Sequence, residues 1–308
     1  MTYTGYLFVH FIGEKKDGEQ VYFSISRDGL HWKELSGGAP VLRSTVGELG
    51  ARDPFIIRSP WEGKDSNARF YLIATDLRIE AGKGWNVAQY SGSRDILVWE
   101  SDDLVTWRGP AAHTLGIPGA GCVWAPEAIY DEEKEAILVF WASMVEKKQR
   151  IYAAYTKDFK DFSQPFLFLE KDNHVIDTTI IRTEEGYYRY TKDETVKTIC
   201  VDFGRTLKPE DFHEVRSEVL SNLYGVEGPE IFRFNQGDGW CLIVDRFAAG
   251  KGYLPLVADR LDTGEFRILD DGEFDMGVTI KRHGGIIPIT EEEYVRLSSD
   301  KNLTEQKV

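Results

Sequence analysis

A short segment occurs three times along the chain: SRDGLHW from Ser26 to Trp32, SDDLVTW from Ser101 to Trp107, and TKDFKDF from Thr156 to Phe162. A weaker fourth copy, ADRLDTGEF, runs from Ala258 to Phe266. In each, a β-rich run ends in a small residue, turns at Asp and resumes with an aromatic. A second series leads other β-rich runs: RDPFII at Asp53, WAPEAIY at Ala125, IDTTII at Asp177, VEGPEIF at Glu227 and RHGGII at His283, spaced 50 to 72 residues apart. Repeats of roughly 40 to 50 residues, each holding several strands, are the signature of propeller blades. A β-sandwich gives no reason for leaders at such intervals.

Five leaders imply five blades. The runs YLFVHFIG and VYFSIS have no leader before them, and RHGGIIPIT has no room for a blade after it. The economical solution places the C-terminal strand innermost in a blade whose outer strands are N-terminal, which closes the ring and pairs edges that would otherwise be sticky. The remaining runs, such as RFYLIAT, AILVFWAS and WCLIVD, are β-branched and aromatic and are bounded by charged or Gly-containing turns. Residues 1–308 therefore read as one all-β, five-bladed propeller domain. A short helix is expected near the end, where Thr290 precedes EEEYVRL as a capping box.

Lys and Arg number 37 against 51 Asp and Glu, a net charge of −14. Such a chain repels phosphate, which argues against nucleic acid and anionic membrane as partners; a neutral carbohydrate is indifferent to that field. The three cysteines, Cys122, Cys200 and Cys241, lack C-x-x-C spacing and read as reduced core residues. The start, MTYTGYLFVHFIG, has no basic stretch followed by a clean apolar one, so a cytoplasmic location is the expectation.

In a propeller the innermost strands run roughly along the axis and their starts meet at one end. The leaders carry Asp53, Glu127, Asp177, Glu227 and His283. Carboxylates gathered there raise one another's proton affinity, which suits general acid work. Trp124 is either a sugar-stacking platform or core. Lys192, Asp193 and Arg246 lie where strands exit toward loops, as contacts to substrate hydroxyls or as solvated charges. Trp32, Trp107 and Phe162 are expected to pack between blades.

The order Asp-Pro, Trp-Ala-Pro, Ile-Asp, Glu-Gly-Pro, His-Gly resembles glycoside hydrolase family 43, which includes α-L-arabinofuranosidases, β-xylosidases and arabinanases. The resemblance runs from Asp53 to His283. It implies Asp53 as general base, Asp177 as the residue that orients the acid and tunes its proton affinity, and Glu227 as general acid. It further implies inversion, with Glu227 protonating the leaving oxygen and Asp53 activating a water across a gap of roughly 6.5–9.5 Å. Glu127 receives no chemical role. His283 is placed near the axis, beside a structural calcium or water cluster, with direct metal ligation the less favoured reading. No nucleotide or redox cofactor is implied, for want of a Gly-rich phosphate loop. One departure is the stretch of about fifty residues before the Asp-Pro leader.

The implied activity is exo-acting removal of terminal α-L-arabinofuranosyl residues from plant-derived oligo- or polysaccharides. β-Xylosidase and galactofuranosidase activities fit the same three carboxylates. Fructoside-cleaving propellers require an Asn-Asp-Pro-Asn-Gly motif, which is absent. The non-enzymatic rival is a sugar-binding propeller lectin, which needs no acid and base.

Overall fold

A computed structural model describes residues 1–61, 68–300 and 303 of the chain. The first blade contains β1 (Gly5–Phe11), β2 (Tyr22–Ser26) and β3 (Trp32–Glu34). The second is β4 (Arg52–Arg58), β5 (Phe70–Thr75), β6 (Asp95–Ser101) and β7 (Trp107–Thr114), and the third is β8 (Trp124–Asp131), β9 (Ala136–Val145), β10 (Lys148–Thr156) and β11 (Phe166–Leu169). The fourth is β12 (Val175–Arg182), β13 (Tyr187–Asp193), β14 (Thr198–Gly204) and β15 (His213–Val215), and the fifth is β16 (Glu227–Arg233), β17 (Trp240–Asp245), β18 (Tyr253–Ala258) and β19 (Arg267–Ile268). The last strand, β20 (Arg282–Ile289), completes the first blade in the order β20-β1-β2-β3.

All five sheets are four-stranded and antiparallel. The innermost strands pack in the cycle β20, β4, β8, β12, β16 and back to β20, so the ring is closed. Its closure is the expected one: β20 pairs with β1 from Ile289 opposite Gly5 to Arg282 opposite Phe11. Every leader opens an innermost strand. The second strands β5 and β17 are almost wholly apolar because neighbouring blades cover both their faces. The core accordingly lies between blades, as where Leu7, Val9 and Phe23 of the first meet Leu72, Ala74 and Trp99 of the second.

The repeated segment joins the third strand of a blade to its outermost strand. In each of the three strong copies the terminal hydroxyl (Ser26, Ser101 or Thr156) accepts from the amide three residues on. The Asp (Asp28, Asp103 or Asp158) accepts from the amides two and three residues on. These bonds fix a turn whose residue after the Asp is left-handed, at φ 81° for Gly29, 69° for Leu104 and 57° for Phe159. The aromatics pack across blades: Trp107 meets Phe23 edge-on at 5.9 Å, Phe162 meets His113, also at 5.9 Å, and Trp32 joins a cluster with Phe232 of the fifth blade.

The helix near the end is α3 (Glu291–Ser299), with both bonds of the capping box at Thr290 and Glu293. Among the described residues two further α-helices, α1 (Trp85–Ser91) and α2 (Glu218–Asn222), lie in connections and lack the long apolar periodicity that would mark them. The first of these helices explains the longest leader interval, since it occupies an extended connection between β5 and β6. Among the described residues no helix is long and apolar enough to cross a membrane.

Closing the ring requires β20 to lie very near β1. A Cβ on Gly284 would stand 2.0 Å from the Val9 carbonyl oxygen and 2.7 Å from the His10 Cα. Backbone cannot swing aside as a side chain can, so Gly284→Ala is expected to lower unfolding stability by about 3 kcal/mol. Denaturant midpoints measure this; a loss under about 1 kcal/mol would mean the closure is looser than described.

Candidate active site

Each innermost strand carries one extra residue near its start. Pairing shifts between Arg52 and Phe55, Trp124 and Glu127, Ile176 and Thr178, and Glu227 and Glu230, and likewise where β20 passes His283. The bulged residues Asp53, Ala125, Asp177 and Gly228 are left-handed, with φ of 47°, 47°, 49° and 51°. For non-glycine residues this conformation costs on the order of 1–3 kcal/mol, and bulges commonly re-aim side chains beside active sites. Here the effect is to turn the Asp53 and Asp177 carboxylates toward the axis.

A ring of hydrogen bonds holds the bulges. Thr75 Oγ1 donates to Asp53 Oδ2 (3.0 Å) and accepts from the Ala125 amide (2.8 Å). The Gly228 amide donates to Asp177 Oδ2 at 3.1 Å. The Tyr253 hydroxyl donates to the Gly228 carbonyl at 3.0 Å and accepts from the Gly284 amide at 3.1 Å. Gly228 has no substitute, because a Cβ there would meet His283 Cγ at 2.8 Å.

His283 occupies the centre. Its Nδ1 lies 3.6 Å from Asp53 and 3.8 Å from Asp177, and its Nε2 lies 3.8 Å from Glu127. Burial alone would lower its proton affinity, but Asp177, Glu127 and Asp53 outweigh that and raise its pKa to about 10. The ring is thus an imidazolium at neutral pH. Burial raises Asp177 and Glu127 above the usual carboxylate range, against the pull of that imidazolium. Openness falls along the axis: the side chains of Glu227 and Asp53 keep 18% and 14% exposure, whereas that of Glu127 keeps 4%. Glu227 and Asp53 are the most exposed of these carboxylates, and Asp177, at 10%, lies between Asp53 and Glu127.

Glu227 is gripped by two cations. Lys192 Nζ lies 2.7 Å from its Oε2 and Arg282 Nη2 lies 2.9 Å from its Oε1. Burial pushes the Glu227 pKa up, but Lys192 first and Arg282 next overcome it and hold the group below its ordinary value. Arg282 also pairs with Asp245, itself fully buried and raised by that burial to about 6.

The leaders thus bring Asp53, Asp177, Glu227 and His283 together. Trp124 stands edge-on to the exposed Trp85 of α1 at 5.9 Å, and the Arg52 guanidinium lies 4.9 Å from the centre of the Trp85 ring. The two cations expected to meet substrate hydroxyls are otherwise engaged. Lys192 is buried between Glu227 and Glu194, and Arg246 donates to the carbonyls of Lys251, Gly252 and Tyr253, bracing the β17–β18 loop. Asp193 accepts from the Thr195 and Val196 amides and from the Asn173 amide group.

Sequence reasoning gave no role to Arg52, Arg282, Asp245 or Glu230. Arg52 is buried against Glu19 and Glu14 and lies over the Phe11 ring. Glu230 accepts from Thr179 Oγ1 (3.1 Å) and from the Ile286 amide (2.6 Å), and burial raises its pKa well above the ordinary carboxylate value. The folded state therefore holds a proton that the unfolded chain releases near pH 4.3, and stability falls as pH rises from there toward the folded value. Glu230→Gln mimics the protonated form. It is expected to flatten the pH dependence, so that the variant gains on wild type between about pH 5 and pH 8 in denaturant unfolding. Parallel stability curves would refute this.

The resemblance implies a structural calcium near the axis. Among the described residues no group of three or more His, Cys, Asp or Glu side chains is arranged to hold a metal ion. The carboxylates nearest the axis face the His283 ring. Two roomy surface concavities, one lined by Tyr188 and Trp240 and the other by Phe234 and Phe266, contain none of these carboxylates.

A family model described as a probable glycosyl hydrolase domain matches residues 1–295. An alpha-L-arabinofuranosidase of Bifidobacterium longum subsp. longum is 29% identical over 295 residues, covering 80% of this chain and 27% of that protein. The chain thus spans about a quarter of the length of this curated relative. In fold it is similar to an endo-1,4-beta-xylanase from Bacteroides thetaiotaomicron VPI-5482, with a TM-score of 0.59, 14% identity, and coverage of 92% of this chain and 93% of that one. It is also similar to a Penicillium chrysogenum alpha-L-arabinanase, with a TM-score of 0.56, 17% identity, and coverage of 87% and 78%.

Proposed function

The chain belongs to the probable glycosyl hydrolase domains related to glycoside hydrolase family 43, and on that premise we propose that it is an inverting, exo-acting glycosidase that removes terminal α-L-arabinofuranosyl residues from plant-derived oligo- and polysaccharides. Glu227 is the general acid, Asp53 the general base, and Asp177 orients the acid and tunes its proton affinity. The single observation that carries the reading is the convergence of these three carboxylates, from three blades, on His283 and its neighbour Arg282 at one end of the axis. The choice of sugar is supported by the arabinofuranosidase relative.

In this mechanism the sugar ring sits over His283 with its leaving oxygen toward Glu227 and its anomeric carbon exposed to a water held by Asp53. The imidazolium offsets the charge of Asp53 and Asp177 and steadies both without touching the reacting atoms. Trp124 and Trp85 offer ring faces to the sugar beyond the scissile bond. A panel of nitrophenyl α-L-arabinofuranoside, β-xyloside and β-galactofuranoside tests the activity. The arabinofuranoside is expected to turn over fastest, and proton NMR of the first-formed sugar is expected to show the inverted anomer. No hydrolysis of the panel or of arabinose-bearing oligosaccharides, with binding retained, would point instead to a lectin.

A further inference from the structure

We propose that Lys192 is a positioning residue for this hydrolysis: its buried ammonium, 2.7 Å from Glu227 and 2.6 Å from Glu194, holds the Glu227 carboxylate in place and sets the pH above which that group can no longer deliver a proton. The inference rests on the reading of Glu227 as the acid and adds to it the group that governs when the acid is loaded.

Lys192 ends up beside Glu227 because of register. It pairs with Ile176, one residue before the Asp177 bulge, so its side chain enters the gap between the fourth and fifth blades. There it is 2% exposed and lies 4.3 Å from the centre of the Phe247 ring, an aromatic face that accommodates a cation. A lysine so enclosed keeps its charge only because carboxylates surround it. Burial would strip its proton, and Glu227, Asp177 and Glu194 outweigh that and push its pKa up instead.

The other groups facing Glu227 come from every neighbouring element. Arg282 and His283 approach from β20, Asp245 from β17 and Asp177 from β12; Glu194 is shared with Lys197 beyond β13. Arg282 divides its charge between Glu227 and Asp245. Lys192 divides its own with Glu194, whose side chain is 29% exposed overall. Removing Lys192 therefore strips Glu227 of its strongest partner and leaves Arg282 shared. An opposite charge at this range depresses a carboxyl pKa by about 1–3 units, so its removal shifts the group up by a comparable amount.

The test compares the pH dependence of kcat/KM on an arabinofuranosyl oligosaccharide for wild type, Lys192→Met and Lys192→Arg. Lys192→Met is expected to move the alkaline limb upward by about one pH unit or more, and Lys192→Arg to keep the wild-type limb. A residue that merely filled space would scale the whole profile without moving the limb, and an unmoved limb in active Lys192→Met protein overturns the inference. Should Lys192→Met fail to fold, Glu194→Gln supplies the complementary variant. It leaves Lys192 undivided on Glu227 and is expected to move the limb downward; no movement overturns the inference equally. Carbon-13 NMR of the Glu227 carboxyl reads the same titration without turnover. If the wild type hydrolyses nothing yet this resonance titrates higher in Lys192→Met, the proposed function fails and only the control of Glu227's proton affinity by Lys192 stands. If Glu227→Gln abolishes turnover while the resonance is unmoved by Lys192→Met, the reverse holds.

Discussion

Glu227→Gln is expected to cut kcat on an arabinofuranosyl oligosaccharide by about a thousandfold while leaving KM within a few-fold of wild type. The reason lies in the leaving group. A sugar hydroxyl departs poorly as an alkoxide, so the acid must protonate it as the bond breaks. A dinitrophenolate departs unaided, and the same variant is expected to lose far less on the dinitrophenyl arabinofuranoside. Glutamine keeps the shape, but its amide nitrogen is a donor, and both oxygens of Glu227 now accept from cations, Lys192 and Arg282. One of these is left facing a donor, so the variant is also expected to lose stability, by about 3 kcal/mol, the scale of a broken buried pair. Activity is therefore compared at a temperature where circular dichroism shows both proteins folded. Equal losses on the two substrates would show that Glu227 does not act as the acid, whatever else it holds.

The blade count and the closure of the ring were legible because both depend on spacing. The Ser-Asp-aromatic turn is a local hydrogen-bonding device, as the bonds of Ser26, Asp28 and Trp32 show, and local devices leave their residues in the sequence. The site was legible only in part, because its geometry depends on bulges. In an unbroken strand residues three apart face opposite sides, so Glu230 would point away from whatever Glu227 faces. The extra residue at Gly228 reverses that parity, and Glu230 is carried into the buried axis beside Thr179. Glu127 follows the same logic after Ala125. Lys192 and Arg246 were read as loop-facing from their position at strand ends, a rule that gives direction along the strand and not which neighbour lies across the blade. Arg282 adjoined a leader in plain sight, but pairing with both Glu227 and Asp245 needs the fifth blade beside the first, which only the closed ring supplies.

Asp53→Asn is expected to lower turnover by about a thousandfold as well, but with the opposite leaving-group signature: oligosaccharide and dinitrophenyl arabinofuranoside fall together. A base that activates water is needed however easily the other side departs. The substitution is gentle on the fold. An asparagine oxygen can still accept from Thr75 Oγ1, so the link from Asp53 through Thr75 to the Ala125 amide survives, and asparagine tolerates the left-handed conformation at φ 47°. What is lost is the negative charge. His283 then faces two carboxylates, Asp177 and Glu127, and its pKa moves down from about 10; the shift is readable from its ring carbon in an NMR titration. The two readouts separate chemistry from electrostatics. If the histidine shifts but hydrolysis of both substrates stays above about a tenth of wild type, Asp53 belongs to the charge balance of the axis and the water must be activated elsewhere. Asp177 would then be the next candidate, since it contacts both His283 and the backbone of the strand that bears Glu227.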